Sequence, residues 1–249
     1  MTNATAVELN TYLPTVTIRE IIRRYERDNG VVSGLVRRMQ WRWQVVRGEL
    51  CRILKRQFDL LASLFLMLLF SPIILVAAAA IKMTDGGAIF HRHLRVGESG
   101  RTFWFPKFRS MVPNAEAMLG SVMTDNHHGD SITFKIKRDP RVTSVGRFLR
   151  RFSLDELPQL WCVFRGDMSL VGPRPALPHE VANYRQCERR RLEAAPGLTC
   201  IWQVTGRADV PFDLQVAMDV DYIERQSLML DLKLLILTIP AVLTGRGAY

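Results

Sequence analysis

Residues 60–81 carry no charged side chain, and only Ser63 and Ser71 are polar among leucine, phenylalanine, methionine, isoleucine, valine and alanine. As a helix at about 1.5 Å per residue the stretch is roughly 33 Å long, one hydrocarbon thickness, so the simplest expectation is a single membrane span. Two features oppose a straight crossing. Pro72, next to Ser71, falls in the middle of the segment, where it removes a backbone hydrogen bond and bends a helix. Basic residues also flank both ends: Arg37, Arg38, Arg42, Arg47, Arg52, Lys55 and Arg56 before it, and Lys82, Arg92, Arg95 and Arg101 after it. Lys and Arg favour the cytoplasmic side. A hairpin that enters and leaves through one leaflet places both flanks there.

The neighbouring sequence fits a membrane surface. Residues 18–28 and 35–58 read as basic amphipathic helices. In the second, Val36, Met39, Trp43, Val46, Leu50, Ile53 and Leu54 recur at three and four, and Trp41 and Trp43 suit an interface. Packing of these helices on a folded body is an equally open reading. Residues 228–243 form another apolar run, but Asp231, Lys233 and Pro240 interrupt it, which favours an interfacial helix over a span. The first fourteen residues lack a basic region followed by an apolar one, so no secretory signal is expected and the body should be cytoplasmic. Cys51, Cys162, Cys187 and Cys200 lie far apart without zinc-ligand spacing, consistent with a reducing compartment. Lys and Arg number 34 against 24 Asp and Glu, a net charge of +10, which points to anionic partners without choosing among lipid, nucleic acid and phosphorylated small molecules.

Chemistry concentrates in the middle of the chain. Across residues 135–151, seven basic side chains (Lys135, Lys137, Arg138, Arg141, Arg147, Arg150 and Arg151) face one acid, Asp139. The run leads into Ser153-Leu154-Asp155-Glu156-Leu157-Pro158. Ser-x-x-Glu is also a helix capping box, which would give these acids a purely structural role. Pro158 opposes a helix starting at Ser153, because it would stand where its missing N–H matters. Adjacent helical residues point about 100° apart, so Asp155 and Glu156 cannot face each other as a glycosidase pair. Separate jobs, such as nucleophile and metal ligand, suit them better. Further on, Pro173 and Pro175 restrict the backbone around Arg174 and could aim its guanidinium at a phosphate, or simply make a rigid turn. Pro196-Gly197-Leu198-Thr199 and Gln203-Val204-Thr205-Gly206-Arg207 surround Trp202 with turn glycines, hydroxyls and a guanidinium that could hold a nucleotide. His127 and His128, beside Asp125 and Asp130, read as a loop rather than a metal site.

Taken in order, these motifs resemble the bacterial sugar transferases, the monotopic phosphoglycosyl transferases that start glycan assembly on a polyprenyl carrier. The resemblance runs from about Lys55 to Tyr249. It rests on Lys55-Arg56 with Asp59, Ser71-Pro72, Lys107-Phe108-Arg109-Ser110-Met111, Asp139-Pro140-Arg141 and Leu154-Asp155-Glu156-Leu157-Pro158-Gln159. Gly166-Asp167-Met168-Ser169, Pro173-Arg174-Pro175 and Gly206-Arg207 complete it. The ending Gly245-Arg246-Gly247-Ala248-Tyr249 is similar to the exopolysaccharide branch, which commonly handles galactose or glucose. Cys200-Ile201-Trp202 departs from the family's usual Gly-Trp at that place.

The resemblance implies transfer of a sugar 1-phosphate from a UDP-sugar to undecaprenyl phosphate, with release of UMP and a requirement for Mg²⁺. Asp155 would be the nucleophile of a covalent aspartyl-phosphosugar intermediate, and Glu156 would help hold the metal with it or handle a proton. Arg150 and Arg174 would lead in anchoring phosphates, followed by Lys107 and Arg109, with Gln203 and Arg207 on the substrate side. The fold implied is mixed and mainly α. A re-entrant helix-break-helix hairpin at Ser71 and Pro72 (residues 55–83) would follow an amino-terminal extension of basic amphipathic helices (residues 1–54). A small α/β cytoplasmic catalytic body with interfacial helices (residues 84–249) would complete it, at the bacterial inner membrane. Expected partners are UDP-sugar, undecaprenyl phosphate and membrane lipid, with contacts to later glycosyltransferases and none to nucleic acid. The competing reading is a non-catalytic, basic, membrane-anchored scaffold binding anionic lipid or nucleic acid. It leaves an acidic pair inside a basic stretch unexplained.

Overall fold

The structure, a computed structural model, describes residues 34–115, 117–118 and 139–245. The helix expected over residues 18–28, the His127 and His128 stretch, Lys135, Lys137, Arg138 and the final residues 246–249 lie outside the described residues. The chain separates into two compact units, Met1–Lys55 and Arg56–Tyr249. In the first, helix α1 (Gly34–Asp85) begins, with Leu50, Ile53 and Leu54 exposed. Its Glu49–Arg52 pair, at 3.6 Å and largely in solvent, adds little stability.

The second unit is mainly helical with two small sheets. By length and composition the apolar part of α1 is able to cross a membrane, and most of it is uncovered by protein, with Leu61, Phe65, Leu68, Leu75 and Val76 outward. Helical backbone runs on through Ser71 and Pro72. The missing N–H of Pro72 deprives the Leu68 carbonyl of its partner, and the Ser71 hydroxyl donates to that carbonyl at 2.8 Å. The sequence Ser-Pro thus carries its own remedy for the broken ladder.

Both ends of the apolar segment are fastened to the same unit. Arg56 donates to the Val163 and Phe164 carbonyls at 2.6 and 2.7 Å, and the Asp59 carboxylate accepts from the Leu170 amide at 3.1 Å. About five to six turns later Ala77 and Ile81 are buried against Phe108 and Leu149. Beyond α1, strands β1 (Phe90–Val96) and β2 (Thr102–Phe108) form an antiparallel hairpin in which His93 pairs with Phe105 and His91 with Lys107. Paired residues share a face, and alternation puts His91, His93 and Arg95 on the same side as Phe103, Phe105 and Lys107.

Helix α2 (Ser144–Arg151) starts at Thr143, whose hydroxyl accepts from the Gly146 amide at 2.9 Å. It packs backbone to backbone on Ser110: a Cβ on Gly146 would stand 2.0 Å from the Ser110 carbonyl oxygen. A 3-10 segment, Leu154–Gln159, follows and passes directly into α3 (Leu160–Arg165). Strands β3 (Ser169–Val171) and β4 (Gly197–Thr199) run parallel, with the short α4 (Pro178–Ala182) between them in sequence. Helices α5 (Ile201–Thr205), α6 (Phe212–Arg225) and α7 (Leu228–Thr244) complete the unit. In α7, Asp231 interrupts the apolar run because it is a buried anchor: the Tyr222 hydroxyl sits 2.7 Å from its carboxylate and 2.9 Å from the Val171 carbonyl. Met229, Leu232, Ile236, Ile239 and Leu243 form the opposite, outward face.

Candidate active site

Four pieces of chain meet around Asp155 and Glu156. Strand β2 delivers Lys107, the last turn of α2 delivers Arg150, the 3-10 segment carries the two acids, and the loop leaving β3 delivers Arg174. The capping box allowed by the sequence does not form. Ser153 adopts φ 52°, in the left-handed region, and its side chain makes no capping bond. The chain instead turns sharply between α2 and the acids, a conformation unfavourable for a non-glycine residue. Pro158 is the fifth residue of the six in the 3-10 segment, where it has no N–H to donate and so helps keep the stretch short.

Glu156 is held twice on the same oxygen: Lys107 Nζ lies 2.8 Å and Arg174 Nη2 2.7 Å from Oε1, while Arg174 Nη1 lies 3.5 Å from Oε2. Burial alone would raise its pKa, but the charges of Arg174 and Lys107 outweigh that and hold the carboxyl well below its ordinary range. Asp155 stands in contrast. It is buried, and among the described residues its side chain has no hydrogen-bond partner. Burial pushes its pKa upward against the opposing pull of Lys107, and the Glu156 charge adds to the rise. One acid is therefore fully ionised and fixed, while its neighbour is more basic and unengaged.

The cations outnumber these acids. Arg150 donates through Nε to the Ser110 hydroxyl at 2.9 Å and faces Asp155 electrostatically. Arg207, with φ 51°, faces Glu156 and Arg174. Arg95 also faces Arg174 and Glu156. Such a surplus suits a ligand with several negative charges. Lys107, Arg150, Arg174 and Arg207 thus gather at the acids. Arg109 does not: it pairs with Asp85 at the end of α1, fastening the helix to the hairpin. Gln203 is engaged locally, its Oε1 accepting from the Cys200 thiol at 3.1 Å.

Sequence reasoning missed His93 and Arg95 as members of this cluster, treating Arg95 only as a flanking charge. Their period-two spacing on one strand, in a hairpin that also carries Lys107, was the available signal. His93 has a pKa pushed down to about 3 by burial and by Arg95 and Lys107, so it is neutral. Among the described residues no three His, Cys, Asp or Glu side chains gather in a metal cage. The buried Asp155 carboxylate, with no hydrogen-bond partner among the described residues, would suit a Mg²⁺ ion, which commonly binds through one or two carboxylates completed by substrate phosphates and water. Glu156, already paired to Lys107 and Arg174, would add a ligand mainly through Oε2.

Comparison with known proteins identifies the family. Residues 50–245 match the model of the bacterial sugar transferase family. The exopolysaccharide production protein ExoY of Rhizobium meliloti is 43% identical over 198 residues, covering 78% of this chain and 88% of that protein. An undecaprenyl-phosphate galactose phosphotransferase of Salmonella typhimurium is 42% identical over 201 residues, 80% of this chain and 42% of the relative. A UDP-glucose:undecaprenyl-phosphate glucose-1-phosphate transferase of Caulobacter vibrioides is 39% identical over 206 residues, 78% and 72% of the two chains. The match spans the hairpin, the acidic pair and the Arg174 loop alike, and the chain belongs to the bacterial sugar transferase family.

Proposed function

We propose that this enzyme transfers a hexose 1-phosphate, galactose or glucose, from a UDP-sugar to undecaprenyl phosphate with release of UMP, as the first step of exopolysaccharide assembly. The observation that carries the reading is the asymmetry of the two acids. Asp155, buried, without a hydrogen-bond partner among the described residues and raised in pKa, is the stronger nucleophile of the two. Its carboxylate attacks the phosphorus bearing the sugar, the bond to the UMP oxygen breaks, and UMP leaves with that electron pair. The carrier phosphate then attacks the same phosphorus and Asp155 leaves as carboxylate. Glu156 fixes Lys107 and Arg174, which with Arg150 and Arg207 neutralise the charge that would otherwise repel a carboxylate from a pyrophosphate. Asp155, with Glu156 beside it, would hold Mg²⁺, which supplies further charge neutralisation on the phosphate oxygens.

The same reading places the enzyme at the cytoplasmic face of the inner membrane, with the apolar part of α1 re-entrant. Support comes from its two fastened ends. A body that grips both Asp59 and Ile81 stands on one side of the bilayer, whereas a straight crossing would separate these residues by roughly 33 Å. Cys51 and Cys187 are exposed and Cys162 and Cys200 buried, so the first two report topology. A membrane-impermeant thiol reagent should label neither in intact spheroplasts and both after permeabilisation. Labelling of Cys51 from outside would establish a full span.

The chemical test is direct. Protein incubated with UDP-galactose or UDP-glucose alone should gain the mass of one phosphosugar and release UMP, and undecaprenyl phosphate should discharge the adduct. A reaction that needs both substrates together and shows no adduct would rule out the covalent route.

A further inference from the structure

The loop Pro173-Arg174-Pro175 has an unusual problem of support. Two of its three residues lack an N–H, so it cannot be fastened by donating backbone hydrogen bonds to a neighbouring strand. It is fastened instead through carbonyls within it and immediately after it. The Gly197 amide donates to Pro173 O at 2.8 Å, and the Val96 amide donates to Ala176 O at 2.9 Å. Between these, Arg95 Nη1 donates to Pro175 O at 3.0 Å. Arg95 is the only one of the three donors that is a side chain.

The position of Arg95 is otherwise unfavourable. Its guanidinium lies 5.3 Å from the centroid of the buried Phe105 ring, on the hairpin face that also carries Lys107. Its Nε is buried without a partner, and no ion pair holds it among the described residues. Burial and the like charge of Arg174 push its pKa down to about 10. A half-satisfied buried cation beside another cation is not an arrangement that stability alone selects.

We propose that Arg95 is a positioning residue: by gripping the Pro175 carbonyl from strand β1 it holds the proline-flanked loop so that Arg174 reaches Glu156 and the substrate phosphates. The hairpin then presents Lys107 directly and Arg174 indirectly from one rigid face, with Phe105 as the common support. This assignment rests on the phosphoglycosyl transferase reading above, and its test separates the two.

The test uses the full-length protein in lipid nanodiscs, as wild type, Arg95→Met, Arg95→Lys, Arg174→Ala and the double variant Arg95→Met with Arg174→Ala. Methionine keeps apolar cover over Phe105 but removes the donor, whereas lysine restores a donor. Hydrogen exchange read by mass spectrometry should show residues 172–177 exchanging faster in Arg95→Met, with residues 144–151 unchanged. With UDP-sugar and undecaprenyl phosphate, Arg95→Met should lose on the order of 10- to 100-fold in kcat/KM, the scale expected when a catalytic group is misplaced. Arg95→Lys should recover most of that loss. The double variant should fall within about threefold of Arg174→Ala, because both changes disable one device. Losses that multiply in the double variant, or unchanged exchange across residues 172–177, would overturn the proposal. Should the wild type release no UMP from any UDP-sugar, the functional reading fails, and the exchange measurement still decides whether Arg95 holds the loop.

Discussion

Two buried clusters of charge in this unit look alike on first inspection and are built to opposite ends. Around Asp219, one guanidinium meets one carboxylate: Arg191 bonds it at 2.7–2.8 Å, donates to the Tyr184 hydroxyl at 3.1 Å, and lies against both the Tyr184 and Phe212 rings, which touch each other. Their side chains are only 6% and 1% exposed, and the charges balance. Around Glu156, by contrast, the paired side chains of Lys107, Arg174 and Glu156 are 17–24% exposed, several cations compete for two acids, and Asp155 has no hydrogen-bond partner among the described residues. The sealed, balanced cluster ties the segment Glu188–Glu193 to α6. The open, unbalanced one carries a surplus of positive charge that suits an anion. Incomplete satisfaction, more than burial or charge as such, separates the working cluster from the structural one.

Removing the unpartnered acid tests that distinction most strongly. Asp155→Asn should lower turnover by on the order of 10⁴-fold or more, since no other group takes over a lost nucleophile. It should also raise the melting temperature, because the folded state no longer buries a reluctant charge. UMP release and a thermal melt on the same preparation check both outcomes, and a fall in both would place Asp155 with the structural residues. Chelation by EDTA should abolish activity and added Mg²⁺ restore it, while the melt stays where it was. Retained activity in EDTA would remove the metal from the scheme.

Next in size is the contrast between Arg174→Ala and Arg191→Ala. The first should cost about 10²–10³-fold in kcat/KM, as for loss of one charge-stabilising donor, with a small change in stability because Lys107 still pairs with Glu156. The second strands Asp219 in the interior and should cost about 3–5 kcal/mol of stability, read by chemical denaturation. If the two variants exchanged these effects, the division of the clusters would be wrong. The smallest effect is in pH. Asp155 must be ionised to attack and its pKa is raised, so activity should rise with pH through a midpoint above the ordinary aspartate value. Glu156 works with the opposite sign. Its depressed pKa contributes stability above the ordinary glutamate value, which is lost only as pH falls through the depressed one.

The acids and Arg174 were legible in the sequence because their signals are local: a proline that disfavours a capped helix at Ser153, and prolines on both sides of an arginine. The apolar character of α1 was legible for the same reason. What escaped depends on partners far away in the chain. Arg109 looked like a phosphate anchor until Asp85, twenty-four positions earlier, closed on it. Asp231 looked like a flaw in an apolar helix until Tyr222 and Val171 gave it a role. Arg95 counted only as flanking charge and His93 went unread because a period of two over five residues is a weak signal without its opposite strand. Ser153, a plausible helix cap by pattern, instead turns the chain through a left-handed conformation.

The contact between β3 and β4 has a mechanical meaning. A Cβ on Gly172 would stand 2.3 Å from the Ala195 carbonyl oxygen, and one on Gly197 would stand 2.0 Å from the Gly172 nitrogen. Bare backbone thus rests on bare backbone, clinched by Gly172 N to Thr199 O at 3.0 Å and Gly197 N to Pro173 O at 2.8 Å. The strand leaving toward Arg174 and the strand leading to Gln203 consequently form one stiff jaw rather than two independent fingers. Any breathing that admits a bulky lipid-linked phosphate falls to the contact of Lys107 with Glu156, which is made through side chains that are able to change rotamer.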